Sequence, residues 1–156
     1  MKEHTYQITV TWTGNDGEGT KSYRSYRRDH VITSGKKPEL PGSSDPAFRG
    51  DPSRYNPEDL LVSALSACHM LSYLHLCAVN GVVVVSYHDE ALGTMQEKPN
   101  GSGEFTRVVL HPHVTISEGD IARAEELHHR AHELCFIANS VKFPVEVEPT
   151  ITVAVE

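Results

Sequence analysis

Asn56-Pro57-Glu58-Asp59-Leu60-Leu61-Val62-Ser63-Ala64-Leu65-Ser66-Ala67-Cys68-His69-Met70-Leu71-Ser72-Tyr73-Leu74-His75-Leu76-Cys77-Ala78-Val79-Asn80 is the stretch on which the rest of the chain depends. It opens with helix-start signals and then turns almost wholly apolar. Asn56 offers an acceptor to a free first-turn amide, Pro57 suits the first helical position, and Glu58 and Asp59 set negative charge against the positive end of the helix dipole. Gly81 supplies the stop. About 24 residues at 1.5 Å each make a rod of roughly 36 Å. The polar members Ser63, Ser66, His69, Ser72 and His75 recur every third residue and wind around the rod, leaving no solvated stripe. The expectation is a helix buried nearly all round. A membrane span would fit the length, but two histidines, three serines and a charged entry favour a core helix.

Hiding such a rod is a large demand on a chain of 156 residues, so a second subunit is expected to cover part of it and the chain is expected to form a homodimer. The length predicts a single domain over residues 1–156. A formal charge of −7 argues against nucleic-acid and anionic-membrane partners. Met1 to Tyr6 contains no apolar signal segment, from which a cytosolic location is expected. The three widely spaced cysteines, Cys68, Cys77 and Cys135, do not suggest a secreted disulfide framework. In a reducing compartment a cysteine pair serves catalysis or metal binding.

Outward from the helix, residues 6–13 alternate with Ile8, Val10 and Trp12 on one side, a half-buried strand. Gly14-Asn15-Asp16-Gly17 turns the chain, and residues 18–26 are expected to return as a second strand, with Val31-Ile32 extending the ladder. Residues 33–55 read as a long loop anchored by Phe48 and Arg49. After the helix, the β-branched run 82–87 predicts a buried strand reaching to about Met95. Residues 98–103 predict a hairpin connection and 104–116 a return strand, bulged or at an edge where Pro112 removes a donor. Ser117-Glu118-Gly119-Asp120 resembles a capping box. A second, amphipathic helix follows, with Ile121, Ala124, Leu127, Ala131 and Leu134 on its apolar face. The tail 145–155 alternates and should close the sheet. Strands, buried helix, strands, amphipathic helix and strands together give an α+β fold.

A cysteine on an apolar helix is more often core filler than nucleophile. Cys77 fits that role, and it lies about 180° around the helix from Cys68. Spacing alone cannot place Cys135 against Cys68. Resemblance changes the odds. Asn56-Pro57-Glu58-Asp59-Leu60-Leu61 followed by Ser66-Ala67-Cys68, with Ala131-His132-Glu133-Leu134-Cys135 further on, resembles the signatures of the OsmC/Ohr family, the osmotically inducible protein C and organic hydroperoxide resistance proteins. The resemblance implies an OsmC-like fold, antiparallel sheets wrapping a long buried central helix in an intertwined homodimer with a thiol peroxidase site at the subunit interface.

By position, the resemblance implies Cys68 as the peroxidatic cysteine, Cys135 as the resolving one, and Glu58 as the carboxylate that orients an active-site arginine. Arg28 is the first choice for that arginine, with Arg24 and Arg49 next. His69 stands after Cys68 where many members have Phe, and Phe136 after Cys135 where many have Pro. The implied partners are an organic hydroperoxide and an external dithiol reductant such as a lipoyl group, with no cofactor. On one straight helix Glu58 and Cys68 stand about 15 Å apart, so an arginine-glutamate pair supplied partly by the other subunit is the simpler geometry. A second constellation is His128, His132 and Cys135 at i, i+4 and i+7, with His111, His113 or His69 as neighbours, which reads as solvated histidines or as weakly signalled metal ligands. The rival from another class is a non-catalytic protein of the same fold that binds a metal or a small apolar ligand.

Overall fold

The computed structural model describes residues 1–155. The chain divides into two compact units, Met1–Leu60 and Leu61–Glu156, with helix α1 (Pro57–Val79) crossing the boundary.

In the first unit, β1 (Thr9–Trp12), β2 (His30–Thr33) and β3 (Leu40–Gly42) form an antiparallel sheet in that order. The strand expected over residues 18–26 is absent. Asn15 Oδ1 accepts from the amides of Gly17 and Gly19, and Ser25 Oγ donates to the carbonyls of Gly19 and Ser22, so local side chains satisfy a backbone that would otherwise need a ladder. Only an isolated bridge between Asn15 and Tyr26 remains of the predicted pairing, and Val31 and Ile32 carry the ladder instead. The loop 33–55 is also less bare than expected: it holds β3 and a 3₁₀ turn (Pro46–Phe48) capped by Asp45. Phe48 is 40% exposed and fills no hollow in this unit. Asp29, 6% exposed, ties the unit together through Arg27 (2.8 Å), Arg54 (3.7 Å) and the Ser43 hydroxyl.

The start of α1 is specified as the sequence predicts. The Asp59 amide donates to Asn56 Oδ1 at 2.8 Å, and the Asn56 amide donates back to Asp59 Oδ2 at 3.1 Å. This reciprocal box satisfies two amides that a bare helix end would leave unpaired. Its other end is released by Gly81, whose φ of +75° favours glycine.

The second unit has two mixed sheets. β4 (Val83–Asp89), β7 (Pro112–Glu118) and β9 (Thr150–Val153) form one; β5 (Leu92–Glu97), β6 (Gly103–Leu110) and β8 (Val145–Val147) form the other. In each, the first two strands are antiparallel and the third joins parallel. The expected strands 82–95 and 104–116 are therefore each cut in two, one piece per sheet, and the tail 145–155, expected as one or two strands, forms two that divide between the sheets in the same way. The cut near Pro112 has a visible cause: the His111 amide leaves the ladder to donate to Asp89 Oδ1, and Pro112, which has no amide to lose, begins β7. β4 is not a buried strand in this chain, because Val83 and Val85 are exposed.

Helix α2 (Ile121–Leu134) starts at Asp120, whose side chain accepts from the Ala122 amide; Asp120 is thus the cap itself and not the fourth member of a box. Toward its C-terminal half α1 packs Tyr73 and Cys77 with Val82, Val114, Ile116, Ala124, Leu127 and Ala131, while Leu65 packs with Val108, Leu110 and Val145. Gly93 lets β5 approach α1, since a Cβ there would stand 2.6 Å from a Val62 methyl. The buried residues of α1 are Leu65, His69, Tyr73 and Cys77, a single stripe at every fourth position; Leu71 and Val79 are exposed in the isolated chain. The expectation of a helix hidden on all sides is not met within one chain.

Candidate active site

Cys68 and Cys135, 67 positions apart, meet in the second unit. Cys68 is carried by α1 and is partly exposed; Cys135 ends α2 and is 1% exposed. Cys68 is close enough to act on the Cys135 thiol, and both are free thiols. The end of α2 holds Cys135 in place. Its backbone turns extended (φ −68°, ψ 112°), and its sulfur accepts from the Ala138 amide at 3.4 Å. Asn139 donates through its side chain to the carbonyls of Glu133 and Cys135 at 2.9 and 3.0 Å, satisfying groups that the helix end exposes. Burial pushes the Cys135 thiol up to about 11, and the Cys68 contact acts in the same direction. Cys135 is therefore a protonated thiol at neutral pH. Cys77 lies elsewhere in the core, its thiol also raised by burial, as expected of filler.

His128 is buried and not solvated, and of the histidines offered by the sequence as its neighbours, His69 is the one it meets. His69 Nε2 and His128 Nδ1 are 3.0 Å apart in a buried hydrogen bond, and the residues are 1% and 2% exposed. The Tyr73 ring stacks on His128 at 3.7 Å between centroids, and its hydroxyl donates to the Ala124 carbonyl at 2.9 Å. Burial lowers His69 to about 4, with His132 adding to the fall and Asp89 opposing it; burial, then His69 and His129, lowers His128 to about 3. Both imidazoles are neutral near pH 7. The signal for His128 was available, since it follows Ala124 by four and precedes Ala131 by three, on the helix face that the sequence assigns to the core. Among the described residues, His69 Nδ1, His128 Nε2, His132 Nδ1 and Tyr87 Oη are buried without a hydrogen-bond partner. His128 and His132 also line a groove of about 510 Å³ with Glu125, His129, Val145, Glu146, Val147 and Pro149.

Glu58 and the three candidate arginines belong to the first unit. The Arg28 guanidinium lies over the rings of Tyr26 (3.9 Å) and Tyr23 (4.5 Å) and donates to the carbonyls of both residues at 2.7 Å. It is held by its own loop and forms no pair with Glu58 in the chain. Glu58, Arg24 and Arg49 take part in none of the salt bridges among the described residues. Arg49 is the one described non-glycine residue with a left-handed backbone, at φ +65°, where it closes the 3₁₀ turn.

A protein of α+β architecture with a long helix packed against mixed sheets and two neighbouring thiols is thus defined. The family model of the OsmC-like proteins matches residues 50–150, and the chain belongs to that family. An OsmC-like protein of unknown function from Vibrio cholerae superposes with a TM-score of 0.85 at 34% identity, over 95% of this chain and 100% of that one. An organic hydroperoxide resistance protein from Elizabethkingia anophelis has a TM-score of 0.66 at 20% identity, over 98% and 100%; at that identity the likeness is one of fold. An uncharacterised protein of Bacillus subtilis is 22% identical over 153 residues, covering 95% of this chain and 93% of its own.

Proposed function

We propose that this protein is a thiol-dependent peroxidase that reduces organic hydroperoxides to alcohols, with Cys68 as the peroxidatic and Cys135 as the resolving cysteine. The observation that carries this reading is the proximity of these two thiols, distant in sequence, one partly open and the other buried. In the first step the Cys68 thiolate attacks the peroxide, an S–O bond forms, the O–O bond breaks, and the alcohol leaves after taking a proton. The Cys135 thiol then attacks the sulfenic acid, an S–S bond forms, and the hydroxyl leaves as water. An external dithiol, of which a lipoyl group is one kind, takes the disulfide back to two thiols while becoming a disulfide itself. The apolar neighbours of Cys68 on α1, Ala64, Ala67, Leu71 and Leu65, favour bulky or fatty hydroperoxides over hydrogen peroxide.

An arginine near Cys68 would offset desolvation of the thiolate and donate to the departing oxygen. Arg28, Arg24 and Arg49 are the candidates, with Glu58 as the orienting carboxylate, and a homodimer supplies the setting in which residues of one chain complete the site of the other. The exposed apolar side chains of α1 support such an assembly.

Intact-mass analysis after one equivalent of cumene hydroperoxide tests the reading. The wild type should lose two hydrogens, Cys135→Ser should gain one oxygen, and Cys68→Ser should be unchanged. A wild type that keeps both free thiols would refute it.

A further inference from the structure

We propose that the buried His69–His128 pair is a positioning device for the two cysteines: it ties α1 to α2 beside Cys68 and so sets how readily Cys135 reaches that thiol. The proposal rests on the peroxidase reading only in taking that approach as the resolving step.

His69 follows Cys68 directly on α1, and His128 precedes Cys135 by seven positions, about two turns of α2. The bond between His69 Nε2 and His128 Nδ1, at 3.0 Å, therefore joins the two segments that carry the thiols. Tyr73 of α1 adds two contacts to α2: its ring stacks on His128 at 3.7 Å, and its hydroxyl donates to the Ala124 carbonyl at 2.9 Å. The two imidazoles are nearly parallel, 7° apart. A buried hydrogen bond between rings held in this way fixes distance and direction, whereas apolar packing alone lets helices slide.

The pair keeps this arrangement only while both rings are neutral. Two neutral imidazoles carry two ring protons: one fills the shared bond, and the other rests on His69 Nδ1 or His128 Nε2, both buried without a partner. A further proton would add a second N–H with no acceptor. The surrounding groups do not offset it. On α2, His129 and His132 repel charge on the pair. On α1, the Tyr73 hydroxyl is engaged by Ala124. On β4, Asp89 favours a charged His69, but its oxygens are held by the Ser66 hydroxyl and the His111 amide, and burial keeps Tyr87 neutral. β7 and β9 face this core with Val114, Ile116 and Ile151. Among the described residues no group of His, Cys, Asp or Glu stands together to hold a metal ion, so the two rings serve each other.

The test uses the full chain and exchange with dithiothreitol, whose oxidised form takes two hydrogens from Cys68 and Cys135, leaving a disulfide, without any peroxide. At pH 7, His69→Leu should lower the equilibrium constant for that disulfide by about tenfold or more. The His69→Gln/His128→Asn double variant keeps a donor and an acceptor at the bonded positions but cannot titrate, and it should stay within about twofold of the wild type. A His69→Leu constant equal to that of the wild type, or a double variant that falls with it, would overturn the proposal. Both rings titrate below the unfolded value of 6.5, so their stability is present above that pH and is lost as pH falls toward about 4. Urea midpoints should therefore drop more steeply over that range for the wild type than for the double variant, and parallel curves would also overturn it. Long-range ¹H–¹⁵N spectra need no variant: the wild type should show both rings neutral at pH 5.5, and a charged ring there would sink the idea. A wild type inert to peroxide that shows these effects refutes the peroxidase reading alone; one oxidised by peroxide that lacks them refutes the positioning pair alone.

Discussion

Single residues carry the chemistry, and Cys135 shows how burial sets its behaviour. Its thiol is raised from 9.0 to about 11, so in the folded protein it keeps its proton where an unfolded chain would lose it. The stability that this contributes is fully present below the unfolded value and is lost as pH rises between about 9 and 11. Urea-denaturation midpoints measured across that window under reducing conditions should fall less steeply for Cys135→Ser than for the wild type. Equal slopes would mean that the thiol is not held protonated. The same burial makes Cys135 a slow scavenger of alkylating reagents. Iodoacetamide at pH 7.5 should label the partly exposed Cys68 before Cys135 and Cys77, with peptide mapping as the readout.

At the scale of elements, the two ends of α1 and its crossing over β5 are where sequence is converted into position. The reciprocal bonds between Asn56 and Asp59 fix the start of the helix that carries Cys68. Asn56→Ala should cost about 1 kcal/mol in denaturant unfolding, the usual worth of such a cap. Gly93 has a different reason to be small: an added Cβ would meet Val62 Cγ2 at 2.6 Å and Phe105 Cε1 at 2.9 Å. Gly93→Ala should therefore destabilise by about 1–3 kcal/mol, as overpacking does, and a neutral result would show that β5 slides away from α1 without cost. Helix α2 does two things at once. Its buried face places Ala124, Leu127, His128 and Ala131 in the interior, and its C-cap, Cys135, lies near Cys68.

For the molecule as a whole, the unresolved demand is the apolar surface of α1. The helix is long and apolar enough to cross a membrane, but within the chain it buries only a stripe. Leu71, at 63% exposure, lies off that stripe. If a second copy covers it, sedimentation should give a dimer for the wild type, and Leu71→Lys should shift the population toward monomer. A monomeric wild type would remove the assembly from the proposed function.

The amino-acid order alone determined the elements whose signals are local. The cap at Asn56, the stop at Gly81, the hairpin connection expected at 98–103 and the apolar rhythm of α2 all act over a few residues, so each is readable from neighbours in the chain. Where the reading went astray, a distant or competing partner decided the matter. The Asp89 carboxylate drew the His111 amide out of its ladder, local side chains displaced the strand expected at 18–26, and His128, expected in solvent, is buried against His69. The meeting of Cys68 and Cys135 belongs to the tertiary structure for the same reason: two motifs can name the residues, but only the packing of α1, α2 and the sheets between and around them sets the distance across which sulfur chemistry operates.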